Sequence, residues 1–179
     1  VLSSWTTWFF ISKTAQPLRL RSDRWQYRLK TQYLEHVPIP DANESDREAI
    51  AKLAESCSSY GSERYELETH LQRRLCQTFG QDAQGQPLGK LNNKAQAWWK
   101  QSLNELGDAL KTSFKLKANP FKKPQTADEW EPYLAEKRSA VGSITRQTAD
   151  AETQINERVF RPFNLTPDEI ALLLKEVEH

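Results

Sequence analysis

The chain has 179 residues, is 37% apolar and 27% charged, and carries a net charge of +1. That balance fits a globular chain of one ordinary domain, or one with a small appendage. It excludes bulk charge as a guide to partners. No apolar run approaches the roughly 20 residues that a membrane span needs, and the opening VLSSWTTWFFIS has no basic stretch of the kind that begins a signal peptide.

From Val1 to Gln16, apolar residues at Leu2, Trp5, Trp8, Phe9 and Ile11 favour a helix over a buried strand. Leu18-Arg-Leu-Arg21 and Trp25-Gln-Tyr-Arg-Leu29 then alternate, which predicts half-buried strands. Pro38-Ile39-Pro40 closes this region, because each proline lacks an N–H and pushes the residue before it toward an extended conformation. Ser45-Asp46-Arg47-Glu48 reads as a capping box, S-x-x-E, that starts a helix. Ile50, Leu53, Ala54, Cys57 and Tyr60 share one helical face, and Gly61 is expected to end or kink it. Leu67, Leu71, Leu75 and Phe79 predict a second helix closed by Gly80. A third runs from Leu91 through Trp98, Trp99 and Leu106 to Phe114, with Gly107 as a blemish. Thr126-Ala-Asp-Glu129 is a further capping box, and the helix behind it has heptad-like spacing at 137, 141, 144, 148, 151 and 155. Lys137 and Thr148 dilute that stripe, so a helical hairpin arm is expected rather than a stable coiled coil. Thr166-Pro167-Asp168-Glu169 places threonine at the N-cap, proline at N1 and glutamate at N3 of a last helix. The fold class expected is mainly α: a helical bundle or hairpin with a small N-terminal β element. Residues 1–40 form the strand-bearing part and 41–179 the helical domain. The start without methionine, inside an apolar element, reads as a fragment of a longer protein.

The search for chemistry finds no catalytic constellation. His36, His70 and His179 sit in three different settings, and Cys57 and Cys76 lack metal-ligand spacing and read as buried free thiols. No phosphate loop, GxSxG or HExxH is present. Asn119-Pro-Phe121 approaches the Asn-Pro-Pro-Tyr/Phe tetrapeptide of amino-methyltransferases, but its second proline is missing and no strand precedes it. It reads as a turn that stops a helix. Trp98-Trp99 could stack bases, yet their helical spacing with Ala95, Leu103 and Leu106 assigns at least one of them to the core, and Trp5, Trp8 and Trp25 are read the same way.

Charge distribution is more informative. Residues 1–38 hold six basic side chains against two acidic ones, and Lys111, Lys115, Lys117, Lys122 and Lys123 fall within thirteen residues that contain no acid. Arg19, Arg21 and Arg24, with Arg28 and Lys30 close behind, would line the outward face of a two-stranded ribbon. Such a row can contact phosphates or guanine edges, and it equally suits an edge strand protected by charge.

The order of motifs resembles a known family. Arg28-x-Lys30-Thr31-x-Tyr33-Leu34-Glu35-x-x-Pro38-Ile39-Pro40 is followed by Leu91-Asn92-Asn93-Lys94 with Trp98-Trp99. Glu129-Trp130 with Tyr133 comes next, and then Val159-Phe160-x-x-Phe163-x-Leu165-Thr166-x-x-Glu169-Ile170. This series, which spans nearly the whole chain, is similar to the C-terminal region of large adenine-specific DNA methyltransferases of the Eco57I/TaqI-like group, found in restriction-modification and phage-defence systems. Where that family often has Tyr-Gly before Leu-Thr, Phe163-Asn164 stands here, and asparagine tolerates the same left-handed helix end.

The resemblance implies a cytoplasmic, non-catalytic segment: the tail of a target-recognition domain over 1–40 and a helical C-terminal domain over 41–179. Its partners would be double-stranded DNA and an upstream catalytic domain. That parent would use S-adenosylmethionine to methylate the N6 of a flipped adenine, and no cofactor or metal is expected in this segment. The DNA-binding residues expected are Arg19, Arg21, Arg24, Arg28 and Lys30, with Lys115, Lys117, Lys122 and Lys123 as a second patch. The competing expectation is an arm that docks onto the catalytic domain or another subunit.

Overall fold

The computed structural model describes residues 4–21 and 24–177, with the side chains of Arg24, Glu176 and Val177 outside that description. The expectations placed on Leu2, His179 and the side chain of Arg24 therefore lie outside the described residues. The chain is mainly helical. Its elements in order are α1 (Trp5–Thr14), β1 (Pro17–Arg21), β2 (Arg24–Tyr27), α2 (Thr31–Leu34), α3 (Glu44–Phe79), α4 (Asn93–Gln96), α5 (Leu103–Phe114), α6 (Pro124–Phe160) and α7 (Pro167–Val177), with short 3-10 turns between. Two compact units divide the chain: Val1–Cys57 with Ala149–His179, and Ser58–Thr148. Helices α3 and α6 each contribute to both.

In the first unit, β1 and β2 pair antiparallel, with Arg19 opposite Gln26, Leu20 opposite Trp25 and Arg21 opposite Arg24. The alternation therefore does mark strands, but not half-buried ones. Every residue of β1 is exposed, and Leu18, Leu20 and Trp25 each retain 54% of their surface. Trp25 and the 44%-exposed Trp8 are thus not core residues, a correction to the sequence reading. Alternation reports pairing geometry, whereas burial needs a second layer over one face. Helix α1 packs against α7 and is tied to α6 at its first turn, where the Trp5 N–H donates to Oδ1 of buried Asn156 at 2.9 Å. The Trp5 and Phe160 ring centroids lie 6.1 Å apart.

The start of α3 is capped by Asn43, not Ser45: its Oδ1 accepts from the Asp46 N–H at 2.8 Å, and its Nδ2 donates to the Asp46 carboxylate. That asparagine lies two residues upstream of the expected cap and satisfies an orphan donor of the first turn, the Asp46 N–H. At α7 the expected cap is present. Thr166 Oγ1 accepts from the Glu169 N–H, and Glu169 returns a bond to the Thr166 N–H at 2.8 Å. Just before it, Asn164 takes the left-handed conformation with φ 51°.

In the second unit, Leu71 and Leu75 of α3, Trp98, and Leu106 and Leu110 of α5 are essentially solvent-free around a core that α6 completes with Trp130 and Leu134. Each such burial contributes roughly 1.5–3 kcal/mol relative to exposure. Arg64 of α3 donates to Thr145 of α6 at 3.2 Å, and Arg74 lies over Tyr133, so the two helices run antiparallel here.

Four expectations need correction in and around this unit. Gly61 does not end α3, which continues unbroken to Phe79. A glycine costs a helix only about 1 kcal/mol, less than the burial of Leu71 and Leu75 further along the same helix contributes. The single helix expected from Leu91 to Phe114 is three pieces: α4, a 3-10 turn over Trp98–Lys100, and α5. The break lets Trp98 bury its ring while Nε1 donates to the Glu68 carbonyl, and Ser102 with Glu105 then forms a complete capping box for α5. Helix α6 begins at Pro124, two residues before Thr126, because proline is pre-set for a first helical position. Cys57 and Cys76 are free but only half-buried.

Candidate nucleic-acid interface

The ribbon's pairing decides where its arginines stand. Strand residues two apart share a face, and directly opposed residues share it across the pair. Arg19 and Arg21 therefore lie on one face with the positions of Gln26 and Arg24, and Leu20 and Trp25 lie on the other. Arg19 Nε donates to Gln26 Oε1 at 2.7 Å. The ladder is extended where the Arg28 N–H donates to the Gln16 carbonyl at 3.2 Å, and Lys30 is the N-cap residue of α2. Arg21, Arg28 and Lys30 are exposed and form no ion pair among the described residues. Exposed guanidinium and ammonium groups on and just after the ribbon can donate to phosphate oxygens or base-edge acceptors without breaking an ion pair among the described residues.

Lys115, Lys117, Lys122 and Lys123 are exposed in the other unit, as is Lys111, and none forms an ion pair among the described residues. Lys115 ends α5 in a left-handed conformation, φ 53°, where a cation also complements the helix dipole. The connection between them is held rigidly. Asn119 Oδ1 accepts from the Phe121 N–H at 2.9 Å, while Nδ2 donates to the Asn104 carbonyl and to Asp108 Oδ1. Every polar atom of that buried side chain is thus used in shaping a turn, as the sequence reading of Asn119-Pro-Phe121 anticipated.

Two clusters escaped the sequence reading. Arg158 and Arg161 both reach the buried carboxylate of Asp46, at 2.9 and 3.3 Å. The Arg158 hydrogen bond holds that carboxyl below its ordinary pKa of 3.8 against the opposing effect of burial, with Asn43 and Arg161 adding to it. In the other unit, Arg74 lies 4.2 Å from the Tyr133 centroid and 5.1 Å from that of Trp130. Both clusters join residues far apart in sequence, so only their charge types were visible. Gln26 was missed too, although its place opposite Arg19 follows once the hairpin register is known. Burial pushes both cysteine thiols up, Cys57 with help from Glu152, the opposite of what a nucleophilic or metal-binding thiolate needs. Among the described residues no group of His, Cys, Asp and Glu could hold a metal ion, and no helix is long and apolar enough to cross a membrane.

These features define a mainly helical protein with an exposed, arginine-bearing antiparallel ribbon. The chain belongs to the family described as Domain of unknown function (DUF8810), whose model matches residues 43–159. That span runs from the α3 cap to the last turn of α6, so it contains the lysine patch and leaves the ribbon outside. No curated protein and no solved structure matches the chain.

Proposed function

We propose that this chain is a non-catalytic DNA-binding segment associated with target recognition in an adenine-specific DNA methyltransferase of a restriction-modification or defence system. The observation that carries the DNA-binding reading is the ribbon: Arg19 and Arg21 on one face, with Arg28 and Lys30 exposed and free of ion pairs among the described residues. The methyltransferase assignment rests on the ordered motif resemblance and comes after it. In this reading residues 1–40 are the tail of the recognition domain and 41–179 the helical C-terminal domain of a cytoplasmic enzyme. S-adenosylmethionine chemistry belongs to the upstream catalytic domain, and Lys115, Lys117, Lys122 and Lys123 add backbone charge.

The test is fluorescence anisotropy of the chain on duplex DNA across a salt series. Affinity falls steeply with salt, and the slope approximates the number of phosphates contacted. Joint Arg→Ala substitution at 19, 21, 24 and 28 weakens binding. Unchanged affinity in that variant overturns the assignment.

A second reading, a helical arm that docks onto a catalytic domain or another subunit, has its own observation. The heptad-like spacing of the sequence at 137, 141, 144, 148, 151 and 155, alternating four and three residues, supports it. Association that depends on protein concentration and not on DNA favours this arm.

A further inference from the structure

We infer that Arg19 reads a guanine in the major groove and that Gln26 is the residue that positions it, an inference that rests on the DNA-binding reading above. Arg19 and Gln26 face each other in the ribbon register, and their side chains meet through Nε and Oε1 at 2.7 Å. That bond occupies the inner edge of the guanidinium. The terminal Nη1 and Nη2 groups make no bond among the described residues. They form a two-donor fork, held by its own root.

A free arginine on an exposed strand samples many rotamers, and fixing it on binding is costly. Gln26 reduces that loss by ordering the side chain beforehand, and it leaves unused the two parallel donors that match O6 and N7 of guanine. The carrier also fits, because a two-stranded ribbon is one of the elements the major groove admits. Arg21 stands two residues along the same face, roughly 6.8 Å away, which corresponds to about two base-pair steps. It therefore reaches a neighbouring step while Arg19 engages its base. Leu20 and Trp25 occupy the opposite face, so no large apolar side chain of the ribbon stands between the arginines and the groove floor.

The experiment is selection of the full chain on a randomised duplex pool, followed by anisotropy on the enriched duplex. The enriched sequence contains a fixed guanine. Replacing it by 7-deazaguanine, which lacks N7, and substituting Arg19→Ala each weaken binding roughly tenfold or more, and the two losses do not add. Arg19→Lys keeps the salt slope but loses discrimination between guanine and its analogue. Gln26→Ala loses part of that discrimination with the salt slope unchanged, which a general loss of fold would not produce. Salt-sensitive binding with no fixed guanine overturns the guanine assignment and leaves the DNA-binding reading standing. Losses that add overturn it as well. Absence of binding at low salt overturns both.

Discussion

Gly107 and Asn119 are in such close approach that a Cβ on Gly107 would collide with the Asn119 side-chain oxygen. The glycine sits within α5, where alanine would be preferred by about 1 kcal/mol on helix propensity alone. Here the absent side chain makes room for the amide that closes the α5–α6 connection. Gly107→Ala therefore destabilises the protein, by about 2 kcal/mol, because the cost of displacing a buried, fully bonded amide exceeds the propensity gain. Thermal unfolding checks it, and a raised melting temperature would refute the packing argument.

Asp46 makes stability depend on pH in a predictable direction. Its carboxyl is held below the ordinary value by Arg158 first, then Asn43 and Arg161. A carboxyl depressed in the folded state contributes stability above its unfolded pKa, and loses it as pH falls through the folded value. Asp46→Asn lowers the melting temperature by a constant amount between roughly pH 5 and 8, where the carboxyl is ionised in both folded and unfolded chains. The gap between wild type and variant closes below about pH 4. Melting curves over that range decide the matter, and a gap that widens toward acid contradicts the assignment.

Arg138 is placed expensively. Its Nε and Nη2 atoms are buried with no hydrogen-bond partner among the described residues, and burial lowers the pKa of the group while Glu131 opposes that effect. An unpaired buried donor on a cation costs more than it returns. Arg138→Met keeps the stem length and removes the charge, so stability rises by about 1 kcal/mol or more. A fall in denaturation midpoint would show that the guanidinium has a partner in solution.

The lysine patch has a quantitative signature of its own. If Lys115, Lys117, Lys122 and Lys123 neutralise phosphates, replacing all four by glutamine reduces the slope of log affinity against log salt by about 0.9 for each phosphate left without its lysine. Base preference stays unchanged, because phosphate contacts carry no sequence information. An unaltered slope removes these lysines from the interface. Exposed and without ion pairs among the described residues, they are replaceable with little effect on stability.

Several elements were legible because their signals are local. The Thr166–Glu169 box, the left-handed Asn164 and the turn at Asn119 each depend on a few neighbouring residues, and each is found where the sequence places it. The ribbon was legible as pairing, since alternation and hairpin length are local as well. Its exposure was not, because whether a strand face is covered depends on a layer that the strand does not encode. The same limit explains Trp8 and Trp25.

Sequence by itself determined that this protein is helical, where its last helix starts, and that its basic residues gather in two stretches. Tertiary structure alone decided that Gly61 lies inside a continuous helix, that the stretch from Leu91 to Phe114 breaks around buried Trp98, and that Gln26 holds Arg19. The division has one physical cause. Caps, turns and periodicity arise from interactions within a few residues, whereas burial and cross-strand contacts arise between segments that meet only on folding, and their energies exceed the local preferences they override.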